Sequence, residues 1–183
     1  MHFSILRKDT TASTNDDVWG LAAQGAPEGA VVVARNQKQG RGQWGRVWVS
    51  PEGGLYFSLL LRPSLPQSAW PQLSPAIARA VCRVVRIECG VDDDSIRVKH
   101  PNDVVCDAGK ICGISLEARD GCVVVGCGVN VFHPDRPIET DGRNVPAYLV
   151  DLAEGRLGVP SKEYLDALLD ALLAAIAHEI EEM

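Results

Sequence analysis

The sequence predicts an α+β fold: a mixed, mainly antiparallel sheet covered by helices, in a single domain over residues 1–183. Three observations carry this. Strand-like runs follow one another across short Asp/Gly turns, which makes neighbours antiparallel. Two stretches place apolar residues at helical spacing. Strands and helices do not alternate regularly, as a doubly wound parallel sheet requires.

In chain order, residues 3–7 predict a short strand. Ser13 to Gln24 predicts a helix, with Ser13 as its cap, Asp16 and Asp17 at its positive end, and Gly25 and Pro27 to stop it. Ala30 to Arg35 is β-branched and apolar, hence a buried strand. The polar, Gly-rich and basic run Asn36 to Arg46 has neither period and reads as a loop, mobile without ligand. Gly54 to Leu61 predicts a strand ended before Pro63. Pro75 to Cys89 predicts a helix through Ile77, Ala80, Val81, Val84 and Val85, with Gly90 as its C-terminal cap. A short strand is expected over Ile96 to Lys99, then a turn at His100-Pro101-Asn102-Asp103. Val104 to Cys106 and Lys110 to Glu117 form a hairpin around Asp107-Ala108-Gly109, and Asp120-Gly121 leads into a buried strand, Cys122 to Val131. The last helix starts near Ser161, with Leu165, Leu168, Leu169, Leu172, Ile176 and Ile180 as its apolar stripe.

Composition narrows the function classes. Of 183 residues, 46% are hydrophobic and 23% charged, with a net charge of −6. That balance suits a globular protein and speaks against DNA as a partner. No apolar run approaches the roughly 20 residues of a membrane helix, and the N-terminus carries no secretion signal, so a cytoplasmic location is expected. The six cysteines include no CxxC pair, and reduced, packed thiols are expected in place of a zinc site.

Four constellations carry chemistry. Gly40-Arg41-Gly42-Gln43-Trp44-Gly45-Arg46 lets backbone N–H groups face an anion, with Arg41 and Arg46 as charge-assisted donors; the alternative is a solvated basic loop. It is not a P-loop, lacking Gly-Lys-Ser/Thr. In Lys99-His100-Pro101-Asn102-Asp103, followed by Lys110, Asp103 is a hard ligand suited to Mg²⁺ and Asn102 can bond a nucleotide; a Pro-Asn turn and a surface lysine are the alternatives. Gly126-Cys127-Gly128-Val129-Asn130 ends a strand with glycines that permit close approach of a ligand or of another backbone. Ser13-Thr14-Asn15 serves as a helix cap or as a ligand contact.

Together and in this order, Ser-Thr-Asn, Gln37-x-x-Gly-Arg-Gly-x-x-Gly-Arg-x-Trp48, Gly54-Leu55-Tyr56-x-Ser58, Lys-x-Pro-Asn-Asp-Val, Lys-x-x-Gly-x-x-x-Glu117 and Gly-x-Gly-Val-Asn resemble the catalytic domain of the biotin–protein ligases, whose fold is like that of class II aminoacyl-tRNA synthetases. The resemblance runs from about residue 10 to residue 131. It implies an enzyme that uses ATP and Mg²⁺ to make biotinyl-5'-AMP and then biotinylates a lysine of a biotin carboxyl carrier protein, that of acetyl-CoA carboxylase or a related carboxylase. It implies that Ser13, Thr14, Asn15, Gln37, Gly40, Arg41, Gly42, Lys110 and Gly113 bind biotin. Gln43, Trp44, Arg46, Asn102 and Asn130 are expected on the nucleotide, and Asp103 on the metal. Lys110, Arg41 and Arg46 are expected to carry the catalysis. Lipoate or octanoate ligases share the fold without this Gly-Arg loop, and a non-catalytic biotin- or carrier-binding relative is the other alternative.

The chain departs from the family pattern in four places. Gln43 replaces a further arginine, which implies looser retention of biotinyl-AMP. His100 replaces a tryptophan that packs under biotin. No helix-turn-helix precedes the motifs, so no repressor function is expected. No small C-terminal β-domain follows, which bears on carrier docking. Exposed edge strands make a homodimer plausible.

Overall fold

The computed structural model describes residues 1–139 and 145–183, with the side chain of Trp44 outside that description. Seven strands form one sheet in the order β1-β2-β3-β7-β6-β5-β4. They are β1 (Ser4–Thr11), β2 (Ala30–Gln37), β3 (Leu55–Leu61), β4 (Arg97–Lys99), β5 (Asp103–Cys106), β6 (Gly109–Arg119) and β7 (Cys122–Val129). Only β1 and β2 run parallel; every other pair is antiparallel.

Helix α1 (Thr14–Ala23) is the crossover between the two parallel strands. It covers one face, burying Val18 against Val32, Leu60 and Val124. Helices α2 (Leu73–Cys89) and α4 (Lys162–Glu181) cover the other, where Ile77, Val81, Leu169 and Leu172 pack on the apolar side of β3, β6 and β7. The central strands β3 and β7 are buried along their whole length, which is why they read as continuous apolar runs.

The expected turns are in place. Asp120 and Gly121 both have positive φ, 51° and 77°, the signature of the tight turn that joins antiparallel neighbours. Gly90 ends α2 at φ 63°. Other expectations need correction. Strand β1 is longer than residues 3–7, because Lys8 to Thr11 continue as a polar, half-exposed edge that carries no apolar signal. Ser13 occupies the N-cap position of α1 but makes no capping hydrogen bond; it is buried in a cavity wall instead. A 3-10 turn at Gln67–Gln72 and a short helix α3 (Leu149–Leu152) had no period long enough to be seen. Strand β5 has only four residues, so Ser115 to Arg119 of β6 has no partner strand on that side among the described residues. No helix among the described residues is long and apolar enough to cross a membrane.

Candidate active site

The N-terminus of α1, the loop between β2 and β3, and the paired strands β6 and β7 enclose a cavity of about 40 Å³. A small-molecule pocket is usually several hundred Å³, so a ligand of that size enters only if something lining the cavity moves.

One wall is a buried polar network. Ser13, Thr14 and Asn15 are each less than 5% exposed. The Thr14 backbone N–H donates to Gln37 Oε1 at 2.8 Å, and Thr14 Oγ1 lies 3.0 Å from the same oxygen. Ser58 Oγ lies 2.7 Å from Thr14 Oγ1 and 2.6 Å from Asn15 Oδ1. Gln37 Nε2 donates to Ser50 Oγ at 2.9 Å. Asn15 Nδ2 donates to Glu117 Oε1 at 2.8 Å, and Trp19 Nε1 to Glu117 Oε2 at 2.8 Å. Five elements thus converge on one hydrogen-bonded surface, and their order along the chain is why the motifs are scattered in sequence.

The opposite wall is made by the Gly-Arg loop. Gly40 lies against the Trp48 carbonyl so closely that a Cβ there would overlap it. The loop closes through an Arg41–Val47 bridge and a Gly42 N–H donated to the Arg46 carbonyl at 2.7 Å. This folding delivers the Trp48 indole onto a glycine floor. A Cβ on Gly128 would overlap the indole, and one on Gly113 would come within 2.8 Å of it. Trp48 Nε1 is buried without a hydrogen-bond partner. Lys110 Nζ sits 5.1 Å from the indole centre and 2.7 Å from Asp103 Oδ1. That last contact is an ion pair off hydrogen-bond alignment, for Asp103 Oδ1 has no partner of good geometry. Both side chains are more than four-fifths buried, at 16% and 14% exposure.

Arg41 is held by carboxylates. It makes a bidentate pair with Asp16 at 2.8 and 2.6 Å and reaches Glu117 Oε1 at 3.4 Å. The hydrogen bond from Arg41 holds the Asp16 carboxyl below its ordinary range, while Asp16 pushes the guanidinium further up. A depressed carboxyl stabilises the fold above its unfolded value of about 3.9 and loses that contribution as pH falls through the lower folded value. Asp16→Asn is therefore expected to lower the thermal midpoint at pH 7 and to narrow its gap from the wild type below pH 3. Parallel melting curves across that range check this, and a gap that persists unchanged into acid would rule it out.

The structure gathers most of the expected site residues. Ser13, Thr14, Asn15, Gln37, Arg41, Gly42, Gln43, Asn102 and Gly113 all line the cavity. Gly40 packs against Gln37 and the Trp48 carbonyl, and Lys110 does not line the cavity itself but lies against Gly113 and Trp48, which do. Other residues are placed elsewhere. Arg46 is exposed and folds back, its Nε donating to the Gln43 carbonyl at 3.3 Å. Asn130 is buried and donates to the Lys110 carbonyl at 2.9 Å, which anchors that lysine's backbone. Asn102 turns its amide N–H onto the Ile114 carbonyl at 2.9 Å. His100 is exposed and lines none of the cavity. The Trp44 side chain lies outside the described residues. No place in the site is expected from sequence for Trp19, Trp48, Ser58, Ser115 or Glu117, and Asp16 is expected only at the start of its helix. The available signal was Gly126-x-Gly128, whose open floor calls for large side chains above it.

No group of three or more His, Cys, Asp or Glu side chains able to hold a metal occurs among the described residues. Mg²⁺ usually takes one or two protein carboxylates and completes its shell with water and substrate phosphates. Asp103 Oδ1, buried and without an aligned hydrogen bond although 2.7 Å from Lys110 Nζ, fits that pattern as a single ligand.

Residues 8–130 match the family described as the biotin/lipoate A/B protein ligase family. The chain is similar to the bifunctional ligase/repressor BirA of Bacillus spizizenii, 38% identical over 133 residues, which cover 69% of this chain and 40% of that protein. It is similar to the biotin–[acetyl-CoA-carboxylase] ligase of Paracoccus denitrificans, 37% identical over 169 residues, covering 88% of this chain and 68% of that one. The chain thus spans two-fifths to two-thirds of these relatives. The structure of the Aquifex aeolicus biotin protein ligase in complex with biotin and ATP superposes with a TM-score of 0.81 at 26% identity, over 98% of this chain and 71% of that chain. A matching profile over most of the length, a superposable sheet and the same motifs in the same order establish that this chain belongs to the biotin/lipoate A/B protein ligase family.

Proposed function

We propose that the chain is the catalytic domain of an ATP-dependent biotin–protein ligase. One observation carries the reading: a polar wall of buried Ser13, Thr14 and Asn15 and half-buried Gln37 shares a cavity with Arg41 and Trp48, and Lys110 Nζ lies 5.1 Å from the centre of that Trp48 ring. A polar head binds at the wall, and an anionic tail runs toward the cations. An octanoyl or lipoyl chain has no use for three buried and one half-buried hydrogen-bonding side chains, since each left unpaired beside an apolar ligand costs free energy.

In the first step, a carboxylate oxygen of biotin attacks the α-phosphorus of ATP. The bond to the β-phosphate oxygen breaks and pyrophosphate leaves. Both reactants are anions, so fixed positive charge lowers the barrier. Lys110 is rigidly mounted on β6 between the two reactants' sides of the site, and its ammonium offsets charge on the carboxylate and the α-phosphate. Arg41 exchanges one carboxylate partner for the substrate's. Asp103 would hold Mg²⁺, which neutralises phosphate charge when bound. Trp48 leaves the glycine floor to make room for biotin, and the loop then covers the site and excludes water. In the second step a carrier lysine's amine attacks the acyl carbon and AMP leaves. The unpartnered edge of β6 from Ser115 to Arg119 borders the site and offers backbone groups to an added strand. A biotin carboxyl carrier protein is the partner we assign to it, with that of acetyl-CoA carboxylase as the first to try.

The test is ATP–pyrophosphate exchange with biotin, lipoate or octanoate as the only acid. Exchange with biotin alone is expected; exchange with lipoate or octanoate and none with biotin would reverse the assignment. Gln43 lines the cavity where an arginine would add a cation. Gln43→Arg is expected to slow release of biotinyl-AMP by about 10-fold, the worth of one charged hydrogen bond. Trapping released adenylate with free amine measures it, and equal release from both proteins would count against a retaining role for this position.

A further inference from the structure

We infer that Glu117, through Asn15, sets the direction of the hydrogen bonds in the polar wall and so makes that wall an acceptor for ligand N–H groups. The inference rests on the biotin reading above and deepens it. Glu117 touches no ligand in this account; it is a positioning residue.

The argument is one of hydrogen counting. An ionised carboxylate only accepts. Glu117 faces three donors: Trp19 Nε1 at 2.8 Å on one oxygen, Asn15 Nδ2 at 2.8 Å and Arg41 Nη2 at 3.4 Å on the other. Asn15 must therefore turn its amide N–H₂ toward Glu117, which leaves its Oδ1 facing Ser58 Oγ at 2.6 Å. A serine hydroxyl has one hydrogen. Ser58 spends it on Asn15, so it cannot also supply the 2.7 Å contact to Thr14 Oγ1. Thr14 has one hydroxyl hydrogen for its contacts to Ser58 Oγ and to Gln37 Oε1, which already accepts the Thr14 backbone N–H; whichever contact it serves, one pair of oxygens that includes Thr14 Oγ1 stands with no hydrogen between them. Two acceptors so placed on a cavity wall call for an N–H from outside, and a cyclic urea supplies N–H groups of that kind. Reversing Asn15 reverses the chain. Ser58 then donates to Thr14, Thr14 donates to Gln37, and the acceptor pair is consumed internally.

The test is a double-mutant cycle read as KM for biotin in the exchange assay. In Glu117→Gln the new amide group must face a donor. The Trp19 indole N–H cannot become an acceptor but the Asn15 amide can turn over, so the strain is relieved at Asn15. The KM for biotin is expected to rise about 10- to 100-fold, the cost of a lost buried hydrogen bond with a polar group left unpaired, while kcat and the KM for ATP change less than about threefold. Asn15→Asp alone sets two carboxylates against each other and also raises the KM. Combined with Glu117→Gln, the aspartate at position 15 accepts from both the new amide and Ser58, restoring the original direction. The double variant is expected within about fivefold of the wild-type KM. A part that merely supported the fold would give additive losses in this cycle. An unchanged KM in Glu117→Gln, or a double variant no better than either single one, overturns the inference and leaves the ligase reading standing. A wild-type chain that binds and turns over no biotin overturns both. Melting curves of all four proteins confirm that each is folded, and the rescue itself requires that they are.

Discussion

Lys110→Ala is expected to lower biotin-dependent ATP–pyrophosphate exchange by about 100- to 1,000-fold, the usual cost of deleting one preorganised charged or polar group that faces developing charge. The position explains why the loss should be this large. Lys110 is 16% exposed, lies near the start of β6 between Val105 on one side and a bridge to Pro146 on the other, and has its backbone carbonyl bound by Asn130. Its ammonium is thus aimed from a strand, whereas Arg41 is borne by the loop between β2 and β3 and must leave Asp16 to act. The same variant strands Asp103. A buried carboxylate whose ion-pair partner is deleted destabilises a protein by about 3–5 kcal/mol, so inactivity alone would be ambiguous. Lys110→Ala with Asp103→Asn removes the stranded charge. That double variant is expected to recover most of the thermal midpoint and none of the exchange. Recovery of both would mean that Lys110 serves the fold and not the reaction.

The contrast between Lys110 and Arg41 also marks how far the sequence was readable. The hairpins at Asp107-Ala108-Gly109 and Asp120-Gly121 could be read because their turn chemistry is local and they join short apolar runs, of which β7 is apolar throughout. Helices α2 and α4 could be read from spacing alone. The parallel pairing of β1 with β2 could not, since Arg7, Lys8 and Asp9 carry no apolar alternation and pairing is decided by the crossover of α1. The polar wall was legible as residues and not as a surface: Ser13, Thr14, Asn15 and Gln37 were all named, yet Ser58 and Glu117, which join them, lie on strands whose registers no single sequence reveals. The clamp of Asp16 on Arg41 joins residues 25 apart in sequence, a contact made by tertiary folding. The exposed position of Arg46, with its Nε on the Gln43 carbonyl beside the 3-10 turn Gln43–Gly45, is likewise set by how the loop folds and not by its local sequence.

Gly126→Ala should be the sharpest probe of the cavity floor. A Cβ on Gly126 would overlap both Asn15 Oδ1 and Ser115 Oγ. Neither can retreat at small cost: Asn15 is buried at 4% exposure and tied to Glu117 and Ser58, and Ser115 lies on the strand paired directly to Gly126. The methyl group therefore pushes Asn15 off Ser58, and the disturbance passes to Thr14 and Gln37. Two or more buried hydrogen bonds lose their geometry, so biotin binding is expected to weaken by about 100- to 1,000-fold, with overpacking lowering stability by about 1–3 kcal/mol. Gly121→Ala separates the two effects. Nothing lies within 4 Å of a Cβ there, but its φ of +77° strains any L side chain. It should cost a comparable amount of stability, about 1 kcal/mol or more, without touching the KM for biotin. Calorimetric titration of biotin into both variants decides the matter. If the two lose affinity in proportion to lost stability, the cavity floor has no special relation to the ligand. If only the Gly126 variant does, the pocket is built where these strands, α1 and the loop place it.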